Sequence, residues 1–188
     1  MNFYPAVDLT FMLKELSLLK NVDLINKLDV YANYAITGNS RFSSKFGKYY
    51  YTSQPFMTIA GIIRNNIPNT TLKAEQDNTL NVGIEASLLR NRLQFGVNYF
   101  DTDARDVLIN TVHTSVLGTS PYYNNDGRIK SRGFEISASG TPIQTNAFRW
   151  TLGGTLSTLK NEVKSLGQVS QNITTLSDGA EIITRVGE

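Results

Sequence analysis

Six stretches of two-residue alternation are what most limit the folds open to this chain. A period of two sends successive side chains to opposite faces, which an extended strand does and a helix does not. The apolar sets are Val7, Leu9, Phe11 and Leu13; Leu28, Val30, Ala32, Tyr34 and Ile36; Leu80, Val82, Ile84, Ala86 and Leu88; Leu93, Phe95, Val97 and Tyr99; Phe134, Ile136 and Ala138; and Phe148, Trp150, Leu152 and Leu156. The positions between them are mostly small or polar, among them Asp8, Asn33, Asn81, Gly83, Glu85, Gln94, Asn98, Ser137 and Thr155. An all-β, antiparallel architecture with one apolar and one polar face follows.

The third and fourth stretches specify their own pairing. A tight hairpin through Leu89-Arg90-Asn91-Arg92 joins Leu88 to Leu93, so that Ala86 faces Phe95, Ile84 faces Val97 and Val82 faces Tyr99. On the other face Ser87 meets Gln94, Glu85 meets Gly96 and Gly83 meets Asn98. A slip of one residue would move every apolar side chain to the polar face, so the pattern sets the register.

Connections alternate in length. They are short near 14–27, 89–92 and 141–147, and long near 38–72 and 101–127, with the tail from 159 as a third long one. Leu16, Leu19, Val22 and Ile25 recur at helical spacing, which predicts a short helix within 14–27. Loops beyond about 12–15 residues are uncommon in compact soluble domains. Two architectures remain. One is an antiparallel up-and-down transmembrane β-barrel, of which the chain supplies about six strands, with short periplasmic turns and long extracellular loops. The other is a soluble β-sandwich ligand-binding module, which would bury the same apolar face against a second sheet. Polar faces rich in Gly, Ser, Thr and Asn rather than Lys and Glu favour the barrel. So do Tyr99, Phe148 and Trp150, which sit toward strand ends where aromatic girdles lie. No run approaches the roughly 18–20 apolar residues of a membrane-spanning helix.

Composition removes several function classes. Charge at 18% is too low, and aromatic content at 10% too high, for a disordered chain. A net charge of +2, with Lys and Arg scattered, gives no clustered basic face for nucleic acid. The absence of cysteine excludes disulfides, thiolate nucleophiles and cysteine-based zinc sites. Asn, Thr and Ser number 18, 19 and 15, which suits a β-protein with a wet face. No G-x-S-x-G, H-E-x-x-H, P-loop or G-x-G-x-x-G occurs, so neither an enzyme nor a cofactor or metal site is expected. The single histidine, His113, reads as a solvated loop residue. Asp101, Asp103 and Asp106 suggest calcium. An EF-hand loop from Asp101 would need Gly at Asp106 and Glu at Val112, so a surface carboxylate cluster is expected instead. The sequons Asn69-Thr70-Thr71 and Asn172-Ile173-Thr174 are short patterns with a high chance rate. The opening Met1-Asn2-Phe3-Tyr4-Pro5 lacks the basic and apolar stretches of an export signal.

Ligand chemistry is confined to the expected loops. Tyr49, Tyr50 and Tyr51 form one cluster, and Tyr122, Tyr123, Asn124, Asn125 and Asp126 form another. Aromatic faces stack on sugars and apolar side chains while amides and carboxylates set orientation, the usual make-up of a polar-ligand site. The competing reading is loop self-packing with a turn at Asn125-Asp126-Gly127.

The order of segments resembles a known family. Leu19-Lys20-Asn21, followed by the run from Leu28-Asp29-Val30 to Thr37-Gly38-Asn39, resembles the "LK-(L)R-A-S-Y-G-x-T-G-N" strand of SusC/RagA-type TonB-linked outer-membrane proteins of Bacteroidetes. Leu72-Lys73-Ala74-Glu75 resembles "LKWE", 88–100 the "FNNRL…DYY" hairpin, and 102–108 the "TxDLL" that follows it. Gly133-Phe134-Glu135-Ile136 resembles "KGFEL", and Thr141-Pro142 with Phe148-Arg149-Trp150 resembles "TP…FxW". Arg185-Val186-Gly187-Glu188 is similar to the start of the segment leading to "GxPxGxFYGY", and Tyr4-Pro5-Ala6-Val7 to "FPSVSxxWR". Ala35 and Ala74 depart from the Gly and Trp of the family pattern.

The resemblance implies a large outer-membrane barrel with an N-terminal plug, energised by the TonB complex and capped by a SusD-like surface lipoprotein, importing glycans or peptides. Nothing in the sequence resembles a plug or a TonB box, so residues 1–188 are expected to be a partial TonB-dependent receptor barrel domain with no plug domain. Its six strands are fewer than the roughly eight of the smallest single-chain bacterial barrels and would leave two unpaired edges. The expected partners are outer-membrane lipid, the lid lipoprotein, the TonB complex and the imported glycan or peptide, and not nucleic acid.

Overall fold

A computed structural model describes residues 3–40, 44–57, 59–64, 66–112, 121–169, 171–175 and 181–188. The expected stretches form one six-stranded sheet built from β1 (Ala6–Met12), β2 (Ile25–Asn39), β5 (Glu75–Leu88), β6 (Leu93–Val112), β7 (Pro121–Gln144) and β8 (Arg149–Leu166), paired in that order. The hairpin β3 (Tyr51–Phe56) and β4 (Ile59–Arg64) lies in the connection between β2 and β5, and the hairpin β9 (Gln171–Thr175) and β10 (Glu181–Arg185) follows β8.

Register keeps like with like. β1 and β2 run antiparallel with Leu9 opposite Ala32 and Phe11 opposite Val30, apolar against apolar. The hydroxyls of Thr79 and Thr102 lie 3.2 Å apart, the pair that a Leu88–Leu93 hairpin brings together. Between β6 and β7, the Thr141 amide donates to the Arg92 carbonyl at 2.7 Å and the rings of Tyr99 and Phe134 meet at 5.0 Å.

Among the described residues no apolar layer covers the apolar face. Phe11 is 63% exposed, Leu156 63%, Trp150 46% and Ile84 36%, while Leu166 is the one buried apolar residue among the described residues. A sandwich would bury these side chains, so the soluble alternative fails. Leu80, Val82, Ile84, Ala86 and Leu88 occupy one face of β5. At about 3.4 Å per residue and a tilt of about 40°, they cover about 21 Å of height, close to the roughly 25 Å apolar band of an outer-membrane barrel.

Strands outrun the band, which corrects the expected loop lengths. β6 continues to Val112 and β7 begins at Pro121, so most of the loop expected at 101–127 is strand, and β8 absorbs the tail to Leu166. Tyr99 consequently lies inside β6 rather than at its end, where the outward position changes from apolar to Asp101. Asp103 is buried rather than part of a surface cluster. Asp106 takes a left-handed φ of 54° within β6. His113 lies outside the described residues.

The chain forms two compact units. The first comprises Met1–Ile36, Asn78–Asp103 and Ser131–Asn161; the second comprises Thr37–Asp77, Ala104–Lys130 and Glu162–Glu188. In the first, the expected helix in the β1–β2 turn is a 3-10 turn, Leu13–Glu15, followed by α1 (Ser17–Lys20). Lys14 closes it: its ammonium donates to the carbonyls of Leu19, Lys20 and Val22 at 3.0, 3.1 and 2.8 Å. The β5–β6 turn is strained, since Leu89, Arg90 and Asn91 all take left-handed φ values of 55°, 57° and 65° without a glycine. The β1–β2 turn and the start of β2 hold it, with the Leu89 amide donating to the Leu24 carbonyl at 2.9 Å and the Asn91 amide to the Asn26 side-chain Oδ1 at 3.2 Å.

Candidate functional site

The polar face of the first unit lines a trough of about 1160 Å³. Its organisation rests on Gly83. A Cβ there would strike the ring of Tyr31, so glycine lets the tyrosine from β2 lie across β5 and reach β6. The Tyr31 hydroxyl donates to Asn98 Oδ1 at 3.3 Å, and Asn98 Nδ2 donates to Glu135 on β7 at 3.3 Å. Lys27 bridges Glu85 at 2.8 Å and Asp29 at 3.3 Å on the same face. Asn81 donates to Asn33 at 2.7 Å. These hydroxyl, amide and paired ionic groups make a wet surface that would be costly against lipid and suits a water-filled or protein-filled lumen.

The second unit carries the tyrosine and asparagine clusters, and the structure separates their roles. Tyr49 and Tyr51 are exposed and stack at 6.3 Å, with the Arg64 guanidinium 6.0 Å from the Tyr49 ring centre. Asn66 clips this segment to the end of β4: its Oδ1 accepts from the Tyr50 amide at 2.8 Å and its Nδ2 donates to the Lys48 carbonyl at 2.7 Å. The second cluster divides further. Tyr123 packs flat against Phe46 at 3.8 Å. Asn125 holds backbone: its Oδ1 accepts from the Lys73 amide at 2.8 Å, and its Nδ2 donates to the carbonyls of Lys73 and Asp106 at 3.0 and 2.8 Å. These two residues pack β7 against neighbouring segments, as the self-packing part of the competing reading expects, but the turn expected at Asn125-Asp126-Gly127 is continuous strand within β7.

Tyr122, Asn124 and Asp126, with Asn125 beside them, line a cleft of about 740 Å³, together with Asn69, Thr71, Lys73 and Gln168. The last four were not legible as site residues. Asn69 and Thr71 stand in a sequon and Lys73 in the "LKWE"-like run, but their place beside the 122–126 cluster depends on long-range bonds such as Asn69 Nδ2 to the Tyr123 carbonyl at 3.0 Å. Tyr49, Tyr50 and Tyr51 do not line this cleft. Among the described residues no group of His, Asp or Glu is arranged to hold a metal ion.

Residues 1–180 match the family model of the TonB dependent receptor-like β-barrel. The chain is 31% identical over 164 residues to TonB-dependent receptor P39 of Formosa agariphila, covering 87% of the chain and 16% of that protein. It is 28% identical over 174 residues to TonB-dependent receptor SusC of Bacteroides thetaiotaomicron, covering 87% of the chain and 17% of that protein. Among solved structures, the RagAB peptide importer in its closed-closed state superposes with a TM-score of 0.84 at 20% identity, over 98% of the chain and 20% of that one. The chain thus spans about a sixth to a fifth of the length of these relatives.

Proposed function

This chain belongs to the TonB-dependent receptor β-barrel family, and from that premise we propose that it is the plug-less, six-stranded part of an importer that takes up glycans or peptides. The family places it in the outer membrane and makes it a transport component rather than an enzyme. In this reading the apolar strand faces meet lipid, and the polar face of the first unit lines the lumen. The second unit's 49–51 segment and the start of β7 at 122–126 meet the substrate and a SusD-like surface lipoprotein. Energy comes from the TonB complex through a plug domain carried elsewhere than in residues 1–188.

The observation that carries the proposal is the uncovered apolar band set back to back with a hydrogen-bonded polar face across six paired strands. Support for uptake of peptides comes from the likeness to the RagAB peptide importer, and support for energisation through TonB from the likeness to TonB-dependent receptor SusC. Uptake of labelled glycans and peptides by cells with and without the receptor, in the presence and absence of TonB, tests it. Loss of one substrate's uptake in both deletions is expected. Uptake of every substrate at the parental rate in the receptor deletion would refute the importer reading. Tyr122→Ala separates contact from packing, since Tyr123 is already occupied by Phe46.

A further inference from the structure

We propose that Arg105 and Arg128, on the membrane-facing side of β6 and β7, bind a phosphate of an outer-leaflet lipid. The inference goes beyond cargo uptake and rests on the reading that the apolar strand faces meet lipid.

A bulge in the second unit builds the pair. Asp106 takes a left-handed φ of 54°, Asn125 Nδ2 donates to its carbonyl at 2.8 Å, and a Cβ on Gly127 would lie 2.7 Å from the Val107 carbonyl oxygen. Two residues of β6 therefore oppose one glycine of β7, and the next pair is Arg105 with Arg128. Counting along the strands from the Thr141–Arg92 backbone bond gives the same register. Both arginines are exposed. By the alternation of each strand, Arg105 shares a face with Phe95, Val97 and Tyr99, and Arg128 with Phe134 and Ile136.

Their height suits a headgroup. The Thr79–Thr102 hydroxyl pair sets β5 against β6, which puts Gln76 beside Arg105 and Asn78 beside Asp103. Arg105 is thus level with the fourth residue past Leu80, the last apolar position of β5, and Lys130, opposite Asp103, is level with the second. At about 3.4 Å per residue and a tilt of about 40°, these rows lie about 5–10 Å beyond the apolar positions, where a leaflet keeps a polar layer about 5–8 Å deep. This end of β5 joins the long connection from β2, the side that faces outward in an outer-membrane barrel.

Charge selects the occupant. Across β5, β6 and β7 the row of Gln76, Arg105 and Arg128 holds two cations and no carboxylate. Asp103 faces Lys130 one row nearer the apolar band, and Asp126, two residues beyond Arg128, accepts from Asn124 Nδ2 at 2.8 Å. Like charges directly opposite each other destabilise a strand pair. A phosphate between them reverses that, because its oxygens accept from two planar guanidinium forks at once. Phe134 and Phe95, 52% and 42% exposed on the same faces, offer acyl chains a surface that a free phosphate would not use.

The test uses the complete receptor, purified in detergent and washed free of lipid, with native mass spectrometry counting bound lipid A. With bisphosphorylated lipid A, Arg105→Gln/Arg128→Gln is expected to retain one lipid fewer than wild type. Lys48→Gln, which removes an exposed cation outside the six-stranded sheet, should retain the wild-type number. Dephosphorylated lipid A should give equal counts for all three proteins. If the double variant does not fold, Arg105→Gln decides, by needing at least tenfold more bisphosphorylated lipid A to reach the wild-type count. An unchanged count overturns the proposal. So does an equal loss with dephosphorylated lipid A, which marks the arginines as structural, and so does displacement of the lipid by equimolar inorganic phosphate, which marks a free-anion site. A spin label on Ile84→Cys keeps the two readings apart: lipid exposure there with an unchanged count defeats this site alone, and water exposure there defeats the facing assignment as well.

Discussion

Replacing Ile84 with lysine puts a charge at the middle of the apolar positions of β5. Leu80 and Leu88 flank it by four residues each, about 10 Å of height at about 3.4 Å per residue and a tilt of about 40°. A lysine at the bilayer midplane of a barrel costs about 2–4 kcal/mol, falling to about 0–1 kcal/mol near the interfaces. The expected gradient is therefore a loss of about 3 kcal/mol for Ile84→Lys and about 1 kcal/mol or less for Leu88→Lys. Asn81→Lys provides the opposite-face control. It replaces a polar side chain that bonds Asn33, so it should cost about 1 kcal/mol from the lost hydrogen bond and nothing from lipid exposure. Reversible guanidine titration of the complete receptor in short-chain lipid vesicles measures all three. A cost for Ile84→Lys below that of Asn81→Lys would refute the facing assignment.

Three further outcomes follow from individual contacts. Gly133→Ala drives its methyl into the Thr158 carbonyl oxygen, a backbone atom that cannot rotate away, and should cost about 1–3 kcal/mol; Gly154→Ala has no atom within 4 Å of its new methyl and should be neutral or gain up to about 1 kcal/mol in the same titration. Gly83→Val displaces Tyr31 from Asn98 and should destabilise by at least as much as Tyr31→Phe, which removes only the hydroxyl bond at about 0.5–1.5 kcal/mol. Lys14→Met strips three carbonyls of their donor and should cost about 1.5 kcal/mol, with faster amide exchange at residues 17–22 as the local readout.

The strands were legible wherever lipid and water impose contrast. Leu88 ends β5 and Leu93 begins β6, as the alternation requires, because slipping one residue would bury Glu85 and Asn98 in the band. Beyond the band that contrast stops. Asp101, Asp103 and Arg105 on β6, and Arg128, Lys130 and Arg132 on β7, occupy the positions that carry Phe95 or Phe134 further along, so strand read as loop. The candidate site was legible as composition and not as division of labour. Asn124 and Asn125 are the same residue type one position apart; only the distant backbone of Lys73 and Asp106 makes one a clamp and leaves the other with a buried acceptor that has no partner among the described residues. The left-handed run at 89–91 contains no glycine to announce it and depends on partners at Leu24 and Asn26.

The central claim is that one face of these strands meets lipid and the other does not. Residues 1–188 hold no cysteine, so single cysteines at each position from 80 to 88 can be spin-labelled in the complete receptor once any cysteines elsewhere in it are replaced. Collision rates with oxygen and with a water-soluble nickel chelate then report lipid and water at each site. The predicted result is a two-residue oscillation, with oxygen accessibility highest at 82, 84 and 86 and low at 81, 83, 85 and 87. A profile without that period, or with its phase reversed, would contradict the account.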